Sequence, residues 1–124
     1  MRNFSANKIY ISQIGLTDRD TKFINNLIRL GAKQFRDYDL ISYSPSINSH
    51  LVIVNGDNRS SLRTWRLIKD NVATIIISEE TLPLKNQLNV IRPLVFRKLI
   101  DAFTEAEKNN QQLKQDRTQV LVVD

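Results

Sequence analysis

Apolar positions in this chain come in two patterns, short runs flanked by turn residues and longer stretches at helical spacing. "KIYIS" (8–12) alternates apolar and polar and predicts a first strand. "TDRDTKFINNLIRLG" (17–31) follows, with Phe23, Leu27 and Leu30 spaced for a helix and Gly31 placed to end it. Thr17 and Asp20, three residues apart, form an imperfect capping box at its start. A second strand is expected within "DLISYS" (39–44), although "AKQFR" (32–36) competes for it. "SPSINS" is turn chemistry and leaves no room for a full helix before the next strand at 51–54.

The second half is patterned more sharply. "RSSLRTWRLIKD" (59–70) turns Leu62, Trp65 and Ile68 to one side and basic residues to the other, which predicts an amphipathic helix. "ATIIIS" (73–78) is continuously apolar, as a strand buried on both faces would be. "EETLPLKNQ" is interrupted by Pro83 and allows no more than a turn of helix before a short strand, "NVI" (89–91). "PLVFRKLIDAFTEAEKNN" then opens with Pro93 in the first helical turn and carries Leu94, Leu99, Ile100 and Phe103 inward. Strands alternating with helices predict an α/β fold, a five-stranded parallel sheet covered on both faces. Ile9, Ile11, Val52, Val54, Ile75, Ile77 and Val90 are expected to line the sheet, with Phe23, Leu27, Leu62, Trp65, Leu99 and Phe103 packed on it.

This pattern makes residues 1–110 one domain and the polar run 111–118 a linker. "QVLVVD" (119–124) reads as one more buried strand ending on an acidic residue. It is either a sixth strand at the sheet edge or the truncated opening of a following domain, which the linker favours.

Composition narrows the chemistry. No cysteine is present, which excludes disulfides, thiol catalysis and cysteine metal sites. A lone histidine, His50, argues against a histidine metal site. No apolar run approaches the length of a membrane span and no secretory signal is visible, so a cytoplasmic setting without membrane contact is expected. The three glycines form neither a GxGxxG nor a P-loop pattern, and no cofactor is expected.

Net charge is +5, but basic and acidic residues are mixed through most of the chain. Only 59–69 is purely basic, with Arg59, Arg63, Arg66 and Lys69 along one stripe. A solvated helix face is the simpler account. A ligand- or nucleic-acid-binding surface with Trp65 stacking is the alternative, disfavoured because Trp65 falls on the apolar side.

"LVIVNGDN" (51–58) runs from buried strand into polar turn residues at the edge where open α/β sheets place their sites. With this stretch and the element order, residues 8–108 resemble the CheY-like receiver domain of two-component signalling. Two helices depart from that pattern: the second is nearly absent and the fourth is reduced to the turn around "TLPLKNQ". In receivers an acidic pair after the first strand holds Mg²⁺ and an aspartate ending the third strand accepts a phosphoryl group. A Ser or Thr ends the fourth strand, and a lysine precedes a cis proline after the fifth.

Carried onto this chain, the acidic pair falls at Gln13 and Ile14, the acceptor at Asn55, the hydroxyl at Ser78 and the lysine at Arg92. An amide is no nucleophile, and Asp57 lies two residues past the acceptor position. The resemblance therefore implies a degenerate receiver, a pseudo-receiver with no catalytic residues and no bound metal. Hybrid histidine kinases of the BarA and RcsC kind carry such a domain before their true receiver, and "DLISYSPS" resembles its second-strand region. "VLVVD" would then open that receiver, with Asp124 the first of its acidic pair. The implied partners are protein domains, a kinase core and a receiver. The resemblance also implies a cis Arg92–Pro93 bond, with the guanidinium either on Asp57 or in solvent.

Overall fold

A computed structural model describes residues 8–31, 33–85 and 87–123, with side chains as far as residue 113. The elements are β1 (Ile9–Ile14), α1 (Asp18–Leu30), a 3₁₀ turn (Lys33–Phe35), β2 (Tyr38–Ser42), β3 (Leu51–Asn55), α2 (Arg59–Arg66), β4 (Ala73–Ser78), β5 (Leu88–Ile91) and α3 (Phe96–Val123). All neighbouring strands pair in parallel, in the order β2-β1-β3-β4-β5. This is the flavodoxin-like order of doubly wound α/β folds. The expected shortening of the helical complement is present: residues 43–50 and 79–87 contain no helix among those described.

Alternate residues of β3 and β4 feed two cores, because side chains on a strand point to opposite faces. On one face Ile11, Leu51, Ile53, Ile75 and Ile77 meet α1 and α3 through Ile24, Leu27, Leu99 and Phe103. On the other, Ile14, Val52, Val54 and Ile76 meet Trp65 of α2. Every residue of β3 and β4 is buried, which accounts for their continuous apolar sequences.

Several boundaries and faces differ from expectation. Within "AKQFR", Lys33–Phe35 form the 3₁₀ turn, where Phe35 is buried, and β2 takes the strand role. The inward stripe of α1 is Asp20, Ile24 and Leu27, while Phe23 is half-buried and Leu30 is 69% exposed. Gly31 ends α1 in extended geometry, not in the left-handed conformation common at such caps. Helix α2 stops at Arg66, which leaves Lys69 in the following turn and off the helical stripe. Pro93 precedes α3 by three residues and is not in its first turn. Ile9 and Leu62 pack at the margins of the two cores.

The largest difference is at the end of the chain. Residues 111–123, expected as linker and strand, continue α3. A strand is stable only when a neighbour satisfies its backbone groups. The preceding "EAEKNNQQLKQ" is rich in good helix formers and carries the helix forward. Asp124 lies outside the described residues.

The middle of α3 is tied to the starts of β2 and β3 by a polar cluster. The Tyr38 hydroxyl donates to the Glu107 carboxylate, and His50 Nε2 lies 2.8 and 2.9 Å from its two oxygens. Asn110 Nδ2 is 3.0 Å from His50 Nδ1.

Candidate functional site

The carboxyl edge of the sheet gathers residues from four segments. β1 ends at Ile14, and Gly15 turns the chain with φ +70°, a conformation that favours glycine. The Gly15 turn also passes close to α2: a Cβ there would lie 1.8 Å from Ser61 Oγ. α1 follows at once and brings in Asp20, β3 delivers Asn55 and Asp57, and β5 delivers Arg92.

Arg92 occupies the centre. Its Nη2 lies 2.6 Å from Asp20 Oδ2 and its Nε 3.3 Å from Asp20 Oδ1, a two-point contact. Its Nη1 reaches Asp57 Oδ2 at 2.5 Å and lies 3.9 Å from Glu79 Oε2. Nη2 also donates to Asn55 Oδ1 at 3.3 Å. The Arg92 and Asp20 side chains are only 15% and 5% exposed, so water screens this pair little. The bond to Asp20 raises the Arg92 pKa above its ordinary value, and the neighbouring carboxylates act in the same direction against burial. Of the two expected positions for the guanidinium, contact with Asp57 is the one adopted. The Arg92–Pro93 bond is cis.

Asn55 is buried and held at both ends of its amide. Its Nδ2 donates to the Gly15 carbonyl at 2.9 Å, and its Oδ1 accepts from the Asp57 N–H at 3.0 Å. Asp57 is fixed in turn by the Glu79 N–H, 2.9 Å from Oδ2. Asn55 and Arg92 are thus brought together, along with Asp57.

The other carried-over positions point elsewhere. Gln13 accepts from the Leu16 N–H at 3.0 Å and braces the turn after β1. Ile14 is buried in the core under α2. Ser78 is fully buried; its hydroxyl donates to the Glu80 carbonyl at 2.7 Å and accepts from Asn89 Nδ2 at 2.9 Å.

Asp20, and at the exposed margin Glu79, are members of the cluster that sequence reading missed. For Asp20 the signal was there. Its capping role is real, with its N–H 3.1 Å from Thr17 Oγ1, and the box closes through a 3.4 Å contact from the Thr17 N–H. Yet Asp20, Ile24 and Leu27 also share the i, i+4, i+7 spacing of one helical stripe. An aspartate on an inward stripe requires a cationic or hydrogen-bonding partner, and that spacing was the available signal. Beside the cluster, Arg19, Phe23, Pro93 and Leu94 line an open cleft of about 370 Å³.

On the opposite face, Trp65 is buried, and its Nε1 donates to Thr74 Oγ1 at 2.9 Å. It is unavailable for stacking. Arg59, Arg63 and Arg66 are exposed, whereas Lys69 pairs with Asp70 at 3.3 Å. No helix among the described residues is long and apolar enough to cross a membrane.

The sheet order and the polar cluster at its carboxyl edge define the class, a flavodoxin-like α/β domain. No family model, curated protein or solved structure matches the chain.

Proposed function

We propose that this domain is a pseudo-receiver, a non-catalytic module that positions signalling domains relative to one another and accepts no phosphoryl group. The observation that carries this reading is the arrangement around Asn55. The position corresponding to a receiver's acceptor holds an amide locked by Gly15 and Asp57. A guanidinium already fills the space among Asp20, Asp57 and Asn55. Phosphoryl transfer requires a nucleophile and a cation that neutralises charge on the phosphate. Here the nucleophile is replaced and the carboxylates are satisfied by a fixed side-chain cation. The Arg92 guanidinium ties Asp20, Asp57 and Asn55 together at the edge of the sheet. Such a domain supplies a constant docking geometry, suited to a place between a kinase core and a receiver in a hybrid histidine kinase.

Incubation with acetyl phosphate and millimolar Mg²⁺, followed by intact-mass measurement, tests the reading. The expected result is an unchanged mass. A stable phosphoryl adduct overturns it.

A further inference from the structure

The outer face of α2 differs from the outer faces of the other two helices. On α1 the exposed charges mix signs, with Asp18 beside Arg19 and Lys22. On α3, Arg97 and Lys98 are followed by Asp101 and Glu105, and Lys108 lies 3.9 Å from Glu105. Residues 59–66 contain no acidic residue. Arg59, Arg63 and Arg66 are all exposed, and none forms an ion pair among the described residues. At 100° per residue they fall within an arc of about 60° and span roughly 10 Å along the axis. Helix stability does not account for the whole stripe. Arg59 stands at the first helical position, where the macrodipole disfavours a cation, and no acid occupies that first turn.

An apolar group adjoins the stripe. Leu67 follows α2 directly and is 82% exposed, while its neighbours Trp65 and Ile68 pack inward. Three unpaired cations beside a free leucine fit a surface that is acidic with an apolar contact at its end. Nucleic acid fits less well. The aromatic group of this helix is buried, and three cations over one short helix give few phosphate contacts.

We propose that the outer face of α2, Arg59, Arg63, Arg66 and Leu67, docks an acidic protein segment bearing an apolar side chain. The proposal rests on the reading of the domain as an interaction module and gives that module a surface and a partner chemistry. The cations steer and orient the segment, and Leu67 fixes its position along the helix.

The test uses the full chain and two labelled peptides, (Glu-Glu-Leu-Glu)₅ and a glutamate 20-mer, with a 20-bp DNA duplex as competitor, at 50 and 300 mM NaCl. Thermal melts first establish that each variant is folded. R59E/R63E/R66E is expected to weaken peptide binding at least tenfold, whereas the charge-matched control R97E/K98E/K108E on α3 changes it less than twofold. Leu67→Ser is expected to weaken the leucine-bearing peptide about fivefold and the glutamate 20-mer less than twofold. Equal losses from both triple variants would mean general attraction by a basic protein and overturn the proposal. Tighter binding of the duplex, equal effects of Leu67→Ser on both peptides, or no binding at 50 mM NaCl would also overturn it. None of these outcomes bears on the absence of a phosphoryl adduct, so the two readings fail separately.

Discussion

Replacing Arg92 by methionine keeps the unbranched apolar stem and removes the guanidinium from a cluster of three carboxylates. The carboxylates feel the loss unequally. Asp20, 5% exposed, keeps among the described residues only the Thr17 N–H as donor. Asp57 is 35% exposed and retains the Glu79 N–H, and Glu79 is largely in solvent. Breaking a buried pair costs about 3–5 kcal/mol when one charge is left uncompensated. Exposed pairs contribute less than about 1 kcal/mol. The Asp20 contact is therefore the dominant loss, and Arg92→Met is expected to cost about 2–4 kcal/mol, the lower end reflecting water entering the cleft.

A double-mutant cycle isolates that contact. Asp20→Asn alone leaves the guanidinium with Asp57 and is expected to cost about 1–3 kcal/mol. Combined with Arg92→Met it should add little, giving a coupling of about 1–3 kcal/mol. Urea unfolding at neutral pH, with and without 0.5 M NaCl, measures each corner, and salt should change the coupling little. A cost below about 0.5 kcal/mol for Arg92→Met, or additivity in the cycle, would refute the view that this cation organises the sheet edge.

Further outcomes follow from other parts of the structure. Trp65→Ala should cost about 3–5 kcal/mol by urea unfolding, because it empties a core site and removes the partner of Thr74; a loss under about 1 kcal/mol would contradict its burial. Millimolar Mg²⁺ should leave the melting temperature unchanged, whereas a site with a Kd of about 1 mM would add about 1.4 kcal/mol at 10 mM and several degrees. Gly15→Ala should cost at least about 1–2 kcal/mol, since φ is +70° and the new Cβ would overlap Ser61; near-wild-type stability would show that the turn adapts. Burial, then the bond to Glu107 and its charge, raise the Tyr38 pKa well above its ordinary value. The folded state thus keeps a proton that the unfolded chain releases above about pH 10. Stability from this group is complete below that pH and declines as pH rises toward the folded value. Tyr38→Phe should flatten the alkaline decline in urea unfolding, and an unaltered slope would remove Tyr38 as its cause.

The sheet was readable because 51–54 and 73–78 are apolar on both faces, a pattern that leaves few alternatives to a central parallel strand. α1 was less readable. Phe23, Leu27 and Leu30 satisfy helical spacing as well as Asp20, Ile24 and Leu27, and only packing on the sheet chooses between the stripes. Residues 119–123 carry strand propensity that a preceding helix overrides when no strand edge pairs with them. At the site, Asn55 and Arg92 followed from their places at strand ends. The Arg92–Asp20 contact joins residues 72 positions apart, and local pattern carries no such information.

Helix α3 runs for 28 residues, about 42 Å at 1.5 Å per residue, roughly twice the length of the six-residue β4 against which it packs. Its polar hold on the sheet base is the Tyr38–His50–Glu107–Asn110 cluster, and α3 continues for 13 residues past Asn110, about 20 Å, to Val123. In mechanical terms the helix is a lever and that cluster its fulcrum. A tilt of about 5° at Asn110 would carry the far end through almost 2 Å, so any change in the contacts of Glu107 would be felt most at the end of the helix farthest from its buried Leu99 and Phe103.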